Sequence, residues 1–350
     1  MNETVEAWMK VSARKIYLFR LITFIRGTTL RKTINLMLTK IQCRLKMGWV
    51  MGMPIAYVID PINQCNLECP LCPTGLKLSG RKPGQQKLES FKKLIDQIAP
   101  HAYRIELYNW GEPLLHPNIF EMIAYATTRK IAVGLSTNLN RLNPEMARQL
   151  IESGLAQLIV SVDGATQQTY GEYRKRGNLD QVIKNLRLLI EEKKRLQKKT
   201  PFIIWRMLIG KHNENEITDV AKMAREVGVD GFLTGGLFIN TENPDQIARW
   251  IPTNPKYNPY NQKNKLENTW DCRDLWETMV INWDGGVSPC CWPHKAQYDF
   301  DNVFEKTVVE IWKGFKFTSA RRQIGKKKRN QKDPQTLCHI CKGHPRYLTY

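Results

Sequence analysis

Three cysteines fall within eight residues of the segment INQCNLECPLCPTG (62–75): Cys65, Cys69 and Cys72, spaced C-x3-C-x2-C. A structural zinc ion asks for four closed ligands, and this loop offers three. Three close thiolates suit an iron–sulfur cube in which three irons are held and the fourth stays open to a substrate or cofactor. A second set lies downstream: Cys272, Cys290, Cys291 and the CHIC pair Cys338 and Cys341. Four thiolates bind zinc or a [4Fe–4S] cluster with equal formal ease, and spacing alone favours zinc slightly. INWDGGVSP (281–289) reads as a β-hairpin with Asp284-Gly285 at its turn, able to carry cysteines from both ends toward one centre. Cys43 reads as a small buried hydrophobe.

The elements that must position these residues follow from periodicity. From Pro54, strand candidates at 55–60, 104–109, 131–138, 156–164, 202–209 and 229–235 alternate with helix candidates at 88–99, 117–130, 144–154, 179–197 and 215–228. Such alternation implies an α/β fold with a parallel sheet and helices outside. Six units are too few for an eightfold barrel, so a partial (β/α)6 barrel is expected, with ligands at the carboxyl ends of its strands. The cysteine loop follows the first strand and NWGEP (109–113) the second. STN (136–138) ends the third and SVDG (161–164) the fourth.

Four segments are expected: a basic helical extension (1–50), a core domain (51–240), a linker (241–270) and a small cysteine-bearing domain (271–350). Residues 1–50 hold ten Lys or Arg and two Glu. That segment either packs on the main domain, the favoured reading, or lies on an anionic membrane surface. The run 313–332 carries nine Lys or Arg and no acid, and reads as an exposed loop. Over all 350 residues the net charge is +20, which attracts anions without choosing among nucleic acid, lipid headgroups, phosphorylated metabolites and acidic peptides. Nine clustered cysteines in a chain this long argue for a reducing compartment and metal or cluster sites over a disulfide scaffold. With no secretory signal and no long apolar run, a cytoplasmic protein is expected, at most peripheral to a membrane.

The cysteine loop and its strand-end companions resemble the radical SAM superfamily over residues 54 to 238, Leu71 departing from the aromatic residue often found there. The resemblance implies that Cys65, Cys69 and Cys72 hold a [4Fe–4S] cluster whose open iron binds S-adenosylmethionine (SAM). It implies that Gly111 permits a close backbone approach, and that Glu112 and Pro113 wall the SAM amino group. Ser136, Asn138, Ser161 and Asp163 look like positions contacting its ribose and carboxylate. Arg174 resembles the arginine paired with that carboxylate, Arg176 being a near competitor. WDGGVSPCC and the sequence after it resemble the SPASM and twitch domains, which carry auxiliary clusters. That implies Cys272, Cys290, Cys338 and Cys341 as ligands of one auxiliary [4Fe–4S] cluster. Cys291, next to Cys290, would point the other way on a strand. His339 and His344 flank the last cysteines in surface or supporting roles, and His116 reads as structural.

The implied activity is reductive cleavage of SAM and hydrogen abstraction, with the auxiliary cluster relaying electrons in an oxidation or bond-forming step. The substrate would be a peptide, a protein or an anionic small molecule. A low-potential donor such as flavodoxin or ferredoxin would supply electrons. A zinc-stabilised nucleic-acid-binding protein is the alternative, weakened because no aromatic interleaving supports base stacking. A non-catalytic iron–sulfur carrier is a third reading.

Overall fold

The structure, a computed structural model, describes residues 3–78, 80–239, 243–260, 272–324 and 336–341. Helices α1 (Glu3–Arg26) and α2 (Leu30–Arg44) precede β1 (Ala56–Ile59). The core continues through α3 (Leu88–Ile98), β2 (Arg104–Glu106), α4 (Ile119–Thr128), β3 (Ala132–Thr137), α5 (Pro144–Glu152) and β4 (Gln157–Ser161). It ends with α6 (Gln167–Tyr173), α7 (Leu179–Arg195), β5 (Phe202–Ile209), α8 (Ile217–Val227) and β6 (Gly231–Gly236). Then come α9 (Pro244–Trp250), α10 (Asp274–Glu277), β7 (Thr278–Ile281), β8 (Gly286–Ser288), β9 (Asp301–Asn302), α11 (Val308–Lys313), α12 (Phe315–Gln323) and α13 (Leu337–Ile340).

The nine strands among the described residues form one sheet, ordered β6-β5-β4-β3-β2-β1-β7-β8-β9. The expected partial barrel is its β1–β6 portion, all parallel. Period-two alternation sends Ile203, Trp205, Met207 and Ile209 of β5 into the core shared with the outer helices. The alternate residues Phe202, Ile204 and Arg206 face the concave side. Local signals set the helix ends: Asn143 caps α5 by accepting from the Met146 N–H at 2.8 Å, and Gly228 (φ +88°) closes α8.

The expected hairpin forms, with Gly285 at φ +83° in its turn. It does not stand apart: β7 pairs in parallel with β1, Val58 opposite Val280. Beyond β8 the chain crosses the mouth of the barrel. Trp292 meets Phe238 beyond β6 (5.6 Å), and His294 meets Trp110 beyond β2 (5.8 Å). The expected linker contains α9, whose Trp250 is buried, while residues 261–271 lie outside the described residues. Part of the expected basic loop is instead helix α12, with Phe317, Ala320 and Arg321 buried, because Arg321 donates to the Leu275 and Trp312 carbonyls. Residues 325–332 of that run lie outside the described residues.

Helices α1 and α2 close the amino ends of the strands. One face of α1 presents Trp8 to Phe232, Ile16 to Ile159 and Ile204, Phe19 to Phe202 (4.6 Å) and Phe24 to Tyr103 (4.1 Å). Arg20 Nε donates to Gln157 Oε1 at 3.1 Å. In α2, Lys32 Nζ donates to the Lys130 carbonyl at 2.7 Å. Asn35, Thr39 and Gln42 bond the backbone of Gly52 and Met53. Among the described residues no helix is long and apolar enough to cross a membrane.

Candidate active site

The cysteine loop begins at Asp60, where β1 ends, and is stapled at its base. Asn63 Nδ2 donates to the Lys82 carbonyl (2.9 Å), its Oδ1 accepts from Gly84 N–H (2.9 Å), and Gln86 N–H reaches the Pro61 carbonyl (2.8 Å). Gly111 lies against the loop: a Cβ there would sit 1.7 Å from the Ile62 carbonyl oxygen. The expected close approach is therefore between two backbone segments, and Glu112 N–H seals it by donating to Gln64 O at 2.8 Å. Gly75 does the same from the far side, since a Cβ there would meet the Cys69 backbone at 2.5 Å.

The three thiols are close enough for Cys72 to act on both Cys65 and Cys69. Burial, with Glu112, Cys69 and Cys72, pushes Cys65 up to about 12; burial also raises Cys69, while Arg174 opposes it. Donors are aimed at the sulfurs: Leu67 N–H at Cys65 Sγ (3.4 Å), Asn138 Nδ2 at Cys65 Sγ (3.7 Å) and Arg174 Nη1 at Cys69 Sγ (3.9 Å). Leu67, Leu71, Tyr173, Leu237, Ile239 and Trp250 pack around the cysteines as an apolar wall. At Leu71 an aliphatic side chain fills that wall.

Glu112 joins two strand ends. Its Oε1 accepts from Thr137 Oγ1 (2.7 Å) and Leu114 N–H (3.1 Å), and its Oε2 from Asn138 N–H (2.8 Å). Burial raises its pKa despite these donors. Pro113 opens the short 3-10 turn that follows. Asp163, fully buried, accepts from Arg174 Nε and from Leu208 N–H (2.6 Å). Burial works against the Arg174 charge, but Asp163 and then Cys69 more than offset it and hold its pKa above the ordinary value. Arg176 instead pairs with Glu68 (3.0 Å) and is 68% exposed. Ser136 and Ser161 are brought together by Arg206 on β5, whose Nη2 donates to both hydroxyls (3.2 and 3.1 Å). Sequence reasoning missed Arg206; its signal is a lone cation in the apolar strand FIIWRMLI. Gly75, just past CPTG's proline, was missed as well.

The second set is also a group. Cys341 acts on Cys272, Cys272 and Cys341 act on Cys338, and Cys338 acts on Cys290. Burial pushes Cys272 and Cys338 up to about 12. Cys291 stands beside this group as well: it acts on Cys290, and Asp274 raises Cys272, Cys290 and Cys291 alike. His339 bonds Thr336 through Nδ1, and its buried Nε2 has no partner among the described residues. His116 is structural, bridging Gln86 O and Asn118 N–H. His344 lies outside the described residues.

Among the described residues, no three His, Cys, Asp or Glu side chains are arranged around a single metal ion. Fit therefore rests on donor chemistry. Two groups of free thiols, Cys69 buried and the others partly so, the first with N–H donors directed at sulfur and an apolar wall, suit iron–sulfur clusters.

The comparisons agree. The radical SAM superfamily model matches residues 59–204, and the SPASM iron–sulfur cluster-binding domain matches 272–342. Together they span more than half of the chain and imply [4Fe–4S] clusters and SAM as cofactors. An AdoMet-dependent heme synthase of Methanosarcina barkeri is 32% identical over 165 residues, 47% of this chain and 45% of that protein. The chain thus matches less than half of that relative's length. A tungsten-containing aldehyde ferredoxin oxidoreductase cofactor-modifying protein of Pyrococcus furiosus is 26% identical over 299 residues, 74% of this chain and 81% of that one. SuiB of Streptococcus suis, solved with its precursor peptide SuiA, matches with a TM-score of 0.61 at 15% identity, over 83% of this chain and 71% of that one. The iron–sulfur models displace the zinc-stabilised nucleic-acid-binding alternative. This chain belongs to the radical SAM superfamily, with a SPASM domain behind its barrel.

Proposed function

We propose that this chain is a radical SAM maturase that modifies a peptide or protein by hydrogen abstraction followed by oxidation or bond formation. What carries the reading is the convergence of three cysteine thiols with the polar ends of β2, β3 and β4 at one mouth of the barrel, with a second thiol group downstream. When bound, the cluster and SAM supply one-electron cleavage to methionine and a 5′-deoxyadenosyl radical that takes hydrogen from substrate.

The chain's own residues bind, orient and exclude water. Cys65, Cys69 and Cys72 hold three corners of a cluster. Arg174, fixed by Asp163, presents its remaining fork to the SAM carboxylate. Ser136, Asn138 and Ser161 offer polar groups to the ribose and carboxylate, while Gly111, Glu112 and Pro113 fix the wall near the amino group. The apolar wall around the cysteines keeps water from the reacting centre. Cys272, Cys290, Cys338 and Cys341 hold the auxiliary cluster, which suits an electron relay because four thiolates leave no iron for substrate. Peptide substrate is supported by the likeness to SuiB, solved with its precursor peptide; an anionic small molecule is the competing class, supported by the net charge of +20. A flavodoxin or ferredoxin would supply electrons, and contact of residues 1–50 with a membrane surface belongs to the same reading of partners.

Anaerobically purified protein should carry about eight irons and release 5′-deoxyadenosine on reduction with SAM. Replacing Cys65, Cys69 and Cys72 by alanine should abolish that product; its persistence would refute the assignment.

A further inference from the structure

Helix α2 under the barrel is built inside out. The buried side chains of α2 are Lys32, Asn35, Thr39, Gln42 and Cys43: Lys32 serves the Lys130 carbonyl, and Asn35, Thr39 and Gln42 serve the backbone of Gly52 and Met53. Its apolar residues face solvent instead: Leu30, Ile34, Met37, Ile41 and Leu45 are 50–79% exposed, in one stripe along the helix. α1 continues the pattern with Leu18, Leu21, Ile22 and Ile25, exposed opposite the face that packs on the barrel. Trp49 follows at 56% exposure. Of the nineteen exposed large hydrophobics among the described residues, thirteen lie between Val11 and Met51. A concentration of that kind marks a surface that is covered in use.

Charge decides what covers it. Lys10, Arg14, Lys15, Arg26, Arg31 and Arg44 are exposed on the same two helices, and residues 7–59 contain no Asp or Glu. A second copy laid face to face would set cations against cations. We propose that α1 and α2 seat the protein on the surface of an anionic phospholipid bilayer, apolar stripes in the acyl boundary and cations among the headgroups. Trp49 suits the interfacial layer. Both helices cover the amino ends of the strands, so the candidate active site at the carboxyl ends faces away from the bilayer, open to substrate and electron donor. The proposal does not depend on the reaction catalysed.

The test is flotation of the full-length, anaerobically prepared protein with vesicles of phosphatidylcholine alone or with added phosphatidylglycerol. Binding should require phosphatidylglycerol. Arg31→Gln with Arg44→Gln should weaken it about 25-fold, taking about fivefold per cation near the surface. Ile34→Gln with Ile41→Gln should weaken it at least about tenfold. Leu21→Gln with Ile25→Gln on α1 should act alike. All six side chains are exposed, so thermal melts should be unchanged and loss of binding will not reflect unfolding. No binding to either vesicle would overturn the proposal. So would equal binding to both vesicles, or a solution dimer that the Ile34/Ile41 variant dissociates.

Discussion

Replacing Gly111 by alanine adds one methyl group at the tightest point of the candidate site. Its Cβ would stand 1.7 Å from the Ile62 carbonyl oxygen, 2.6 Å from the Ile62 carbonyl carbon and 3.0 Å from Gln64 O. Ordinary contact begins near 3.4 Å, so the two segments must part by about 1.7 Å. All three neighbours are backbone atoms, and no side chain can rotate away. The Glu112 N–H bond to Gln64 O, 2.8 Å long, breaks with the separation. Overpacking of this kind costs about 1–3 kcal/mol, which the fold survives. The site fares worse, because Ile62 lies three residues before Cys65, and a misplacement of 1 Å at a reacting centre costs about 100-fold in rate. Gly111→Ala should therefore fold and melt a few degrees lower. Its iron content at the three-thiol site should fall, and its 5′-deoxyadenosine rate should drop at least about 100-fold. Gly171→Ala in α6 is the control, since its Cβ meets only the flexible Gln167 amide at 3.2 Å. Wild-type iron content and rate in Gly111→Ala would refute the claim that this glycine sets the cysteine loop.

Arg174→Met leaves the fully buried Asp163 without its cation and should destabilise the fold by about 3–5 kcal/mol in denaturant titrations, with Arg174→Lys recovering part. At Asp60, burial raises the carboxyl pKa from 3.8 to about 7, against the backbone N–H groups of Gly111, Trp110 and Asn109. A carboxyl raised on folding holds its proton longer in the native state, so stability falls as pH rises from about 4 to about 7 and levels off above. Asp60→Asn should remove that loss, with a gain on the order of 2–4 kcal/mol above pH 7 and none below about pH 4, read from urea titrations across the range. Cys290→Ala should lower the iron content by about four atoms, whereas Cys291→Ala should leave it unchanged.

The barrel was legible because its signals are local. Alternating and 3.6-residue periods located the six core strands and the helices between them, and β5 matches its expected span of 202–209. The pairing of β7 with β1 was not legible, since no local pattern reports a contact between Val58 and Val280. Helix α6, QQTYGEY, carries too few apolar residues to register. For α9 the signals were present, Asn243 capping and Pro244 at the first position, but the Asn- and Pro-rich surroundings masked them. In α2 the period gave the helix but could not say which face is covered; the polar face is inside because it serves backbone groups. The cysteine spacings are properties of short segments and could be read directly. Arg206 could not, because its role arises only where β3, β4 and β5 align Ser136 and Ser161 beneath one guanidinium.

The central claim is that two sets of thiols hold two clusters, one of them left open for SAM. Electron paramagnetic resonance of the reduced protein, with and without SAM, tests it most directly. Two cluster signals are predicted, only one of which shifts when SAM is added; that signal should vanish in the Cys65/Cys69/Cys72 alanine variant while the other remains. A single signal indifferent to SAM, or one that survives loss of all three cysteines, would contradict it.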